Sequence, residues 1–164
     1  MKRVMKKNAQ QTMGLPFSLI FSIMLIVVFI VVAFVGIKMF LNFNESAKLG
    51  LFYDDLQKEV DAVWQSSKTE TTFKPILPSG ITHVCFANLS ATITNQEAYN
   101  EIIYQDFEHN TFLLPQSKAG NLQSNNIEHL NLSQITKIKN PYCIEATRSL
   151  ILKKGFYDKF VIIE

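Results

Sequence analysis

Residues 15–37 read Leu-Pro-Phe-Ser-Leu-Ile-Phe-Ser-Ile-Met-Leu-Ile-Val-Val-Phe-Ile-Val-Val-Ala-Phe-Val-Gly-Ile, without a charged residue. As a helix, these roughly 23 residues at about 1.5 Å each cover about 34 Å, enough to cross a bilayer core of about 30 Å. The Leu, Ile, Val and Phe side chains of the run favour insertion by roughly 0.3–0.6 kcal/mol each, on the order of 5–10 kcal/mol together. The run therefore predicts a transmembrane helix, with the lipid bilayer as its partner.

The flanking charges predict the orientation of this helix. Lys2, Arg3, Lys6 and Lys7 precede it without an acidic residue, whereas the charges after it are mixed. Basic residues near a helix end stay in the cytoplasm, so we expect a cytoplasmic N-terminus and a head outside the cell, anchored in the plasma membrane. A cleaved secretory signal is the alternative, but its apolar region has about 7–15 residues and this run is longer.

The overall charge argues against a nucleic-acid partner. The formal net charge is +2, from 16 basic and 14 acidic residues. Four of the basic residues stand in the first seven positions, so twelve remain against 14 acidic residues and the rest of the chain is slightly acidic. A nucleic-acid-binding surface needs a basic face that releases counterions, and this composition does not indicate one.

After the membrane run, the apolar residues recur at helical spacing. Steps of three and four residues separate Leu49, Phe52, Leu56, Val60 and Val63, and acidic and polar residues fill the opposite side. This pattern predicts an amphipathic helix over residues 38–65 that buries one face. We expect it to continue the membrane helix directly or with a gentle kink, while a break at Asn42–Asn44 or Gly50 is the alternative because Asn and Gly are poor helix formers.

From residue 66 onward, short β-type runs alternate with turn residues. The strand predictions are Thr71–Leu77, Ile81–Ala87, Asn110–Leu114 and a C-terminal hairpin of Tyr142–Lys153 and Phe156–Ile163, with a short helix over Gln96–Gln105 and a mobile polar loop over Gln116–Asn126. The predicted fold class is α+β, with a long N-terminal helix followed by a small β-rich head. The predicted organisation is a basic leader (1–14), a transmembrane helix (15–37), an amphipathic extension (38–65) and an extracytoplasmic head (66–164).

The two cysteines are candidates for a disulfide. Cys85 and Cys143 each fall in a predicted strand of the exterior portion, where thiols oxidise. A bond between them would close a loop of about 58 residues and stabilise the head by roughly 4 kcal/mol, with Cα atoms about 4.4–6.8 Å apart. Two buried unpaired thiols are the alternative. Three Asn-x-Ser sequons also lie in this portion, at Asn44, Asn88 and Asn131, and are glycosylation candidates.

Catalytic and metal-binding patterns are weak. His83 and Cys85 share a strand face and could form half of a metal site, but no second paired motif accompanies them. The sequence has no Gly-x-Ser-x-Gly, Gly-rich phosphate loop or His-Glu-x-x-His motif. We therefore expect neither an enzyme nor a bound cofactor.

The junction before the membrane run has a distinctive layout. It reads Lys6-Lys7-Asn8-Ala9-Gln10-Gln11-Thr12-Met13-Gly14, a basic leader, a small residue and glutamine ahead of the apolar helix. This resembles the class III signal of archaeal type IV pilins, in which the mature protein commonly begins with Gln. The resemblance implies that a leader peptidase cuts between Ala9 and Gln10. An ordinary single-pass anchor with a basic flank is the alternative.

Two functions follow from these observations. The first is a pilin-like structural subunit of a cell-surface filament that self-associates through the helix Leu15–Trp64. The second is a stand-alone membrane-tethered binding or adhesion module. The two differ at the N-terminus, because pilin processing removes Met1 and a plain anchor keeps it.

Overall fold

The computed structural model describes residues 14–67, 69–102 and 108–164. The chain divides into two compact units, Met1–Phe43 and Asn44–Glu164. The first element, helix α1, is assigned to Gly14–Gln65 and contributes residues to both units. Gly50 does not interrupt it, and a small β-rich region follows it. The predicted α+β fold with a long N-terminal helix is confirmed.

The second unit combines the C-terminal part of α1 with two antiparallel sheets. After α1 come β1 (Thr69–Phe73), β2 (His83–Phe86), α2 (Gln96–Glu101), β3 (Thr111–Leu114), α3 (Gln116–Ala119), β4 (Ser124–Asn125), α4 (Leu132–Ile135), β5 (Tyr142–Glu145), β6 (Leu150–Lys154) and β7 (Ile162–Ile163). One sheet has the strand order β1-β6-β7 and the other β4-β3-β2-β5. The strand pairs within both sheets are antiparallel.

The apolar face of α1 forms part of the main core of this unit. Its members are all at most 2% exposed: Leu49, Phe52, Leu56, Val60 and Val63. They belong to one cluster with residues of both sheets, including Val84 and Leu113 from one and Leu152 and Ile163 from the other. The burial predicted from the helical spacing is therefore confirmed. A smaller cluster surrounds Cys85 and Phe112.

The predicted C-terminal hairpin is wrong in its first half. Strand β5 pairs with β2 in the four-stranded sheet, whereas β6 pairs with β1 and β7 in the other sheet. A turn in which the Arg148 amide donates to the Glu145 carbonyl separates β5 from β6. Strands β6 and β7 are antiparallel as expected, but β7 comprises only Ile162–Ile163 because residues 155–160 form an exposed turn.

The segment 116–126 is also more ordered than the sequence indicates. It begins with α3, in which Gln116 and Ala119 are buried, and ends in β4, which pairs with β3. Ala119 lies in the main core, which explains why this polar stretch folds instead of forming the predicted mobile loop. The predicted helix over Gln96–Gln105 is observed as α2, and residues 103–105 lie outside the described residues. Strand β1 ends at Phe73 because Pro75, two residues later, lacks a donor for a sheet.

Candidate membrane segment and surface sites

The first candidate site is the apolar part of α1. Every large apolar side chain described between Phe17 and Phe43 is 41–74% exposed. Among the described residues there is one helix that is long and apolar enough to cross a membrane, and it lies near the N-terminus. A contiguous apolar surface of this size marks an interaction site, because monomeric soluble proteins rarely expose one.

A polar side chain inside this segment has its hydrogen bond within the helix. The Ser22 hydroxyl donates to the Ser18 carbonyl oxygen at 2.8 Å. In lipid a polar group has no water to bond, so it must find a partner inside the protein. The hydrogen bond of the Ser22 hydroxyl is therefore of the kind that a bilayer environment requires.

The predicted disulfide is present. Cys85 and Cys143 are bonded, and they are directly opposite each other in the pairing of β2 with β5. Their Cα atoms are 4.0 Å apart, below the expected range of about 4.4–6.8 Å. The reason is the register, because directly opposite residues at non-hydrogen-bonded positions of antiparallel strands have Cα atoms only about 4.5 Å apart. The Cys85 side chain is fully buried in the smaller core.

The disulfide also removes Cys85 from the half of a metal site that the sequence suggests at His83 and Cys85. The Cys85 sulfur is bonded to Cys143 and is not a free thiolate ligand. The His83 Nδ1 atom lies 3.0 Å from the Thr82 hydroxyl. In the described part of the chain, no group of three or more His, Cys, Asp or Glu residues could hold a metal ion.

The other predicted sites differ in their surroundings. Ala9 and Gln10 lie outside the described residues, so leader cleavage stays a prediction. Asn44 is exposed within α1. The Asn88 side chain accepts a hydrogen bond from the Ser90 amide, and the Asn131 side chain caps α4 by accepting one from the Gln134 amide. Glycosylation of these three asparagines also stays a prediction.

The structure contains an aromatic and polar cluster that the sequence does not reveal. The Trp64 and His129 rings stack with centroids 3.7 Å apart. The His129 Nδ1 atom lies 3.1 Å from the Asp61 carboxylate, and the Trp64 indole N–H donates to the Lys159 carbonyl at 3.1 Å. These contacts hold the loops that contain His129 and Lys159 against the C-terminal part of α1. Asp61 and His129 are 68 residues apart in sequence and Trp64 and Lys159 are 95 apart, so no local motif links them.

A charged network joins both edges of the three-stranded sheet. The Lys153 ammonium lies 2.9 Å from the Glu164 carboxylate and 3.4 Å from that of Glu70. The hydrogen bond with Glu164, followed by the attraction of both carboxylates, raises the pKa of Lys153 above its ordinary value of 10.5. The ammonium is therefore held in its charged form.

No protein-family model matches this chain, and no curated protein or solved structure matches it.

Proposed function

We propose that this protein is a single-pass, membrane-anchored, pilin-like subunit that assembles into a filament on the cell surface through its apolar helix. The observation that supports this most is the surface of α1 between Phe17 and Phe43, where large apolar side chains point outward on all sides. A helix that is apolar all round needs a complete apolar covering. Lipid supplies it before assembly, and identical helices of neighbouring subunits supply it in a filament core.

The composition of the segment favours many loose helix contacts over one tight pair. Close pairing in a membrane relies on small residues at regular spacing, such as Gly-x-x-x-Gly. The stretch Ile26–Val35 instead consists of large β-branched and aromatic residues with Ala33 as its only small one. Side chains of this kind pack against several neighbours at once, as a filament core requires.

The second unit supports an exported location for the folded part of the chain. Residues 44–164 have their own core, and a disulfide joins β2 to β5 within it. Disulfides form and persist in oxidising compartments outside the cytoplasm. An N-terminus that keeps Lys2, Arg3, Lys6 and Lys7 in the cytoplasm places this unit on the opposite side of the membrane. Removing the leader frees the helix of these four charges, which otherwise hold it at the membrane surface.

The first experiment is to determine the N-terminal sequence of the protein purified from its cells. Processing as proposed yields chains that begin at Gln10, and electron microscopy of the same cells shows filaments containing the protein. A chain that retains Met1, stays monomeric in mild detergent and forms no filaments would instead establish a stand-alone anchored module. Protease added to intact cells tests the topology independently, because residues beyond about 45 should be digested before lysis.

The second experiment tests the apolar helix directly. Val28→Lys should abolish filaments, because it buries an unpaired charge in the core at a cost of several kcal/mol. Val28→Leu is the matched control, since it keeps the apolar character and should still assemble. Both variants should retain the Cys85–Cys143 disulfide, which shows that the second unit is folded. Filaments of normal abundance from the lysine variant would refute assembly through this helix.

A further inference from the structure

The turn between β6 and β7 presents two aromatic side chains to solvent. Phe156 is 67% exposed and Tyr157 is 95% exposed, and their rings meet edge to face with centroids 5.1 Å apart. The turn is fixed by two hydrogen bonds between Gly155 and Asp158. A Cβ at Gly155 would lie 2.5 Å from the Asp158 carboxylate, so a larger residue would displace this bond. We refer to Phe156 and Tyr157 as the aromatic tip.

An apolar groove lies elsewhere on the same compact unit, between α1 and the end of β1. Its lining includes Leu51, Phe73, Ile76, Lys48, Lys74 and Asp55. Leu51 is 58% exposed and Ile76 is 74% exposed, which leaves the groove open at the surface. Its volume is about 120 Å³. An apolar cavity of about 150 Å³ holds a benzene molecule, so this groove has roughly the size of one aromatic ring.

The tip and the groove lie at opposite ends of one strand pair. In the register of β1 with β6, Thr69 is opposite Lys154 and Phe73 is opposite Leu150. The tip begins two residues after Lys154, whereas Phe73, Lys74 and Ile76 line the groove. The five-residue ladder spans about 14 Å at roughly 3.4 Å per residue.

Positions along helix α1 also show that the groove and the aromatic tip lie far apart within this unit. Leu51 lines the groove, whereas Trp64 donates a hydrogen bond to the Lys159 carbonyl in the turn that bears the tip. The two helix positions are about 20 Å apart at roughly 1.5 Å per residue. Because the turn is fixed at the far end, the tip of one copy does not reach its own groove.

We infer that the aromatic tip of one copy inserts into the apolar groove of the next copy, in a head-to-tail contact that rests on the proposed filament function. The groove has room for one of the two rings of the tip, and a contact between these two different places on one molecule is heterologous. Each added copy then presents a free groove at one end and a free tip at the other. A heterologous contact generates a ring if the rotation between copies closes and an open helical filament if it does not, and the proposed filament corresponds to the second case.

The contact between tip and groove is too small to hold two copies together by itself, so a second copy must already be held nearby. A tip of two side chains in a ring-sized groove buries far less than the roughly 1,000 Å² of a stable interface. Helices gathered in one membrane or filament core raise the effective concentration of neighbouring units to roughly the millimolar range. The tip contact therefore acts after the helices associate, and it sets which part of one head meets the next.

Cysteine cross-linking of the full chain in its membranes tests this contact. The two natural cysteines are paired, so an introduced cysteine is the only free thiol. Tyr157→Cys marks the tip, and Ile76→Cys marks the groove. Ile138→Cys is the matched control, because Ile138 is 87% exposed and belongs to neither surface. All three positions are exposed, and retention of the natural disulfide checks that each variant is folded.

We expect cross-linked dimers when tip and groove variants are expressed together, and a ladder of higher species from a chain carrying both substitutions. The control combined with the groove variant should give much less product. Tip variants that cross-link with each other as well as with the groove would overturn the head-to-tail contact. Filaments that form without a tip-to-groove product would also overturn it while leaving the proposed function intact. If neither filaments nor cross-links form, both proposals fail.

Discussion

Leu56→Ala tests whether the C-terminal part of α1 is a structural part of the head. Leu56 is fully buried in the main core. Removing three carbons loses about 2.4 kcal/mol of transfer free energy at roughly 0.8 kcal/mol each. A residual cavity on the order of 50 Å³ at about 24 cal/mol per Å³ adds about 1.2 kcal/mol. The expected loss in the free energy of unfolding is therefore about 3.5 kcal/mol.

Leu51→Ala is the matched control, because it makes the same substitution five residues earlier on the same helix. The Leu51 side chain is 58% exposed, so its truncation leaves no closed cavity. We expect it to lower the free energy of unfolding by less than about 1 kcal/mol. The difference between the two variants thus isolates burial from the intrinsic helix propensities of Leu and Ala.

The assay is urea unfolding of the full chain in mild detergent, followed by the fluorescence of Trp64, the only tryptophan. Its ring stacks on His129, so unfolding changes its surroundings. With a slope of about 2 kcal/mol per M, a loss of about 3.5 kcal/mol moves the midpoint down by about 1.7 M. Midpoints of the two variants within about 0.3 M of each other would refute the assigned role of the buried face.

Three further outcomes are expected from the same assay. Replacing both Cys85 and Cys143 by Ala should lower the free energy of unfolding by about 4 kcal/mol, because their bond closes a loop of 58 residues. If the unfolding midpoint of the unmodified protein does not change when the disulfide is reduced, this prediction is contradicted. Asn140→Ala should cost about 2–3 kcal/mol, because this buried side chain makes three hydrogen bonds to backbone groups that would lose their partner; a loss below about 0.5 kcal/mol would mean that water replaces it. The raised pKa of Lys153 predicts a contribution to the free energy of unfolding that is complete below pH 10.5 and is lost as the pH rises through the folded-state pKa. Lys153→Met removes the bond to Glu164 and should therefore also remove this loss of stability at alkaline pH. If the stability of the variant falls with alkaline pH in the same way as that of the unmodified protein, Lys153 is not the source of the loss.

The parts of the fold that the sequence predicts well are those with a strong local pattern. The spacing of Leu49, Phe52 and Leu56 identifies the buried face of α1, since a helix places residues three and four apart on one side. The strands β2 and β3 lie within the predicted runs 81–87 and 110–114. The disulfide followed from the presence of one cysteine in each of two predicted strands.

The parts that the sequence does not predict depend on distant contacts. In the local sequence, β5 and β6 read as one continuous strand of a hairpin. In the structure Cys143 is opposite Cys85, so β5 belongs to the four-stranded sheet and β6 to the three-stranded sheet. Likewise, residues 116–126 have a polar composition, and their packing depends on the core position of Ala119 and on the pairing of β4 with β3. The contact between Trp64 and His129 depends on the completed fold, and neither residue has a local signal for it.

The position of the buried helix face has a consequence for the order of synthesis. The face from Leu49 to Val63 leaves the ribosome about 90 residues before β6 and β7, which complete its core. At about 5–20 residues per second, that interval lasts on the order of 5–20 s. During this time the face is an amphipathic helix without its sheet, and exposed apolar surface of this kind promotes aggregation. The nascent chain is therefore most prone to aggregation in the interval before residues 150–163 have been made.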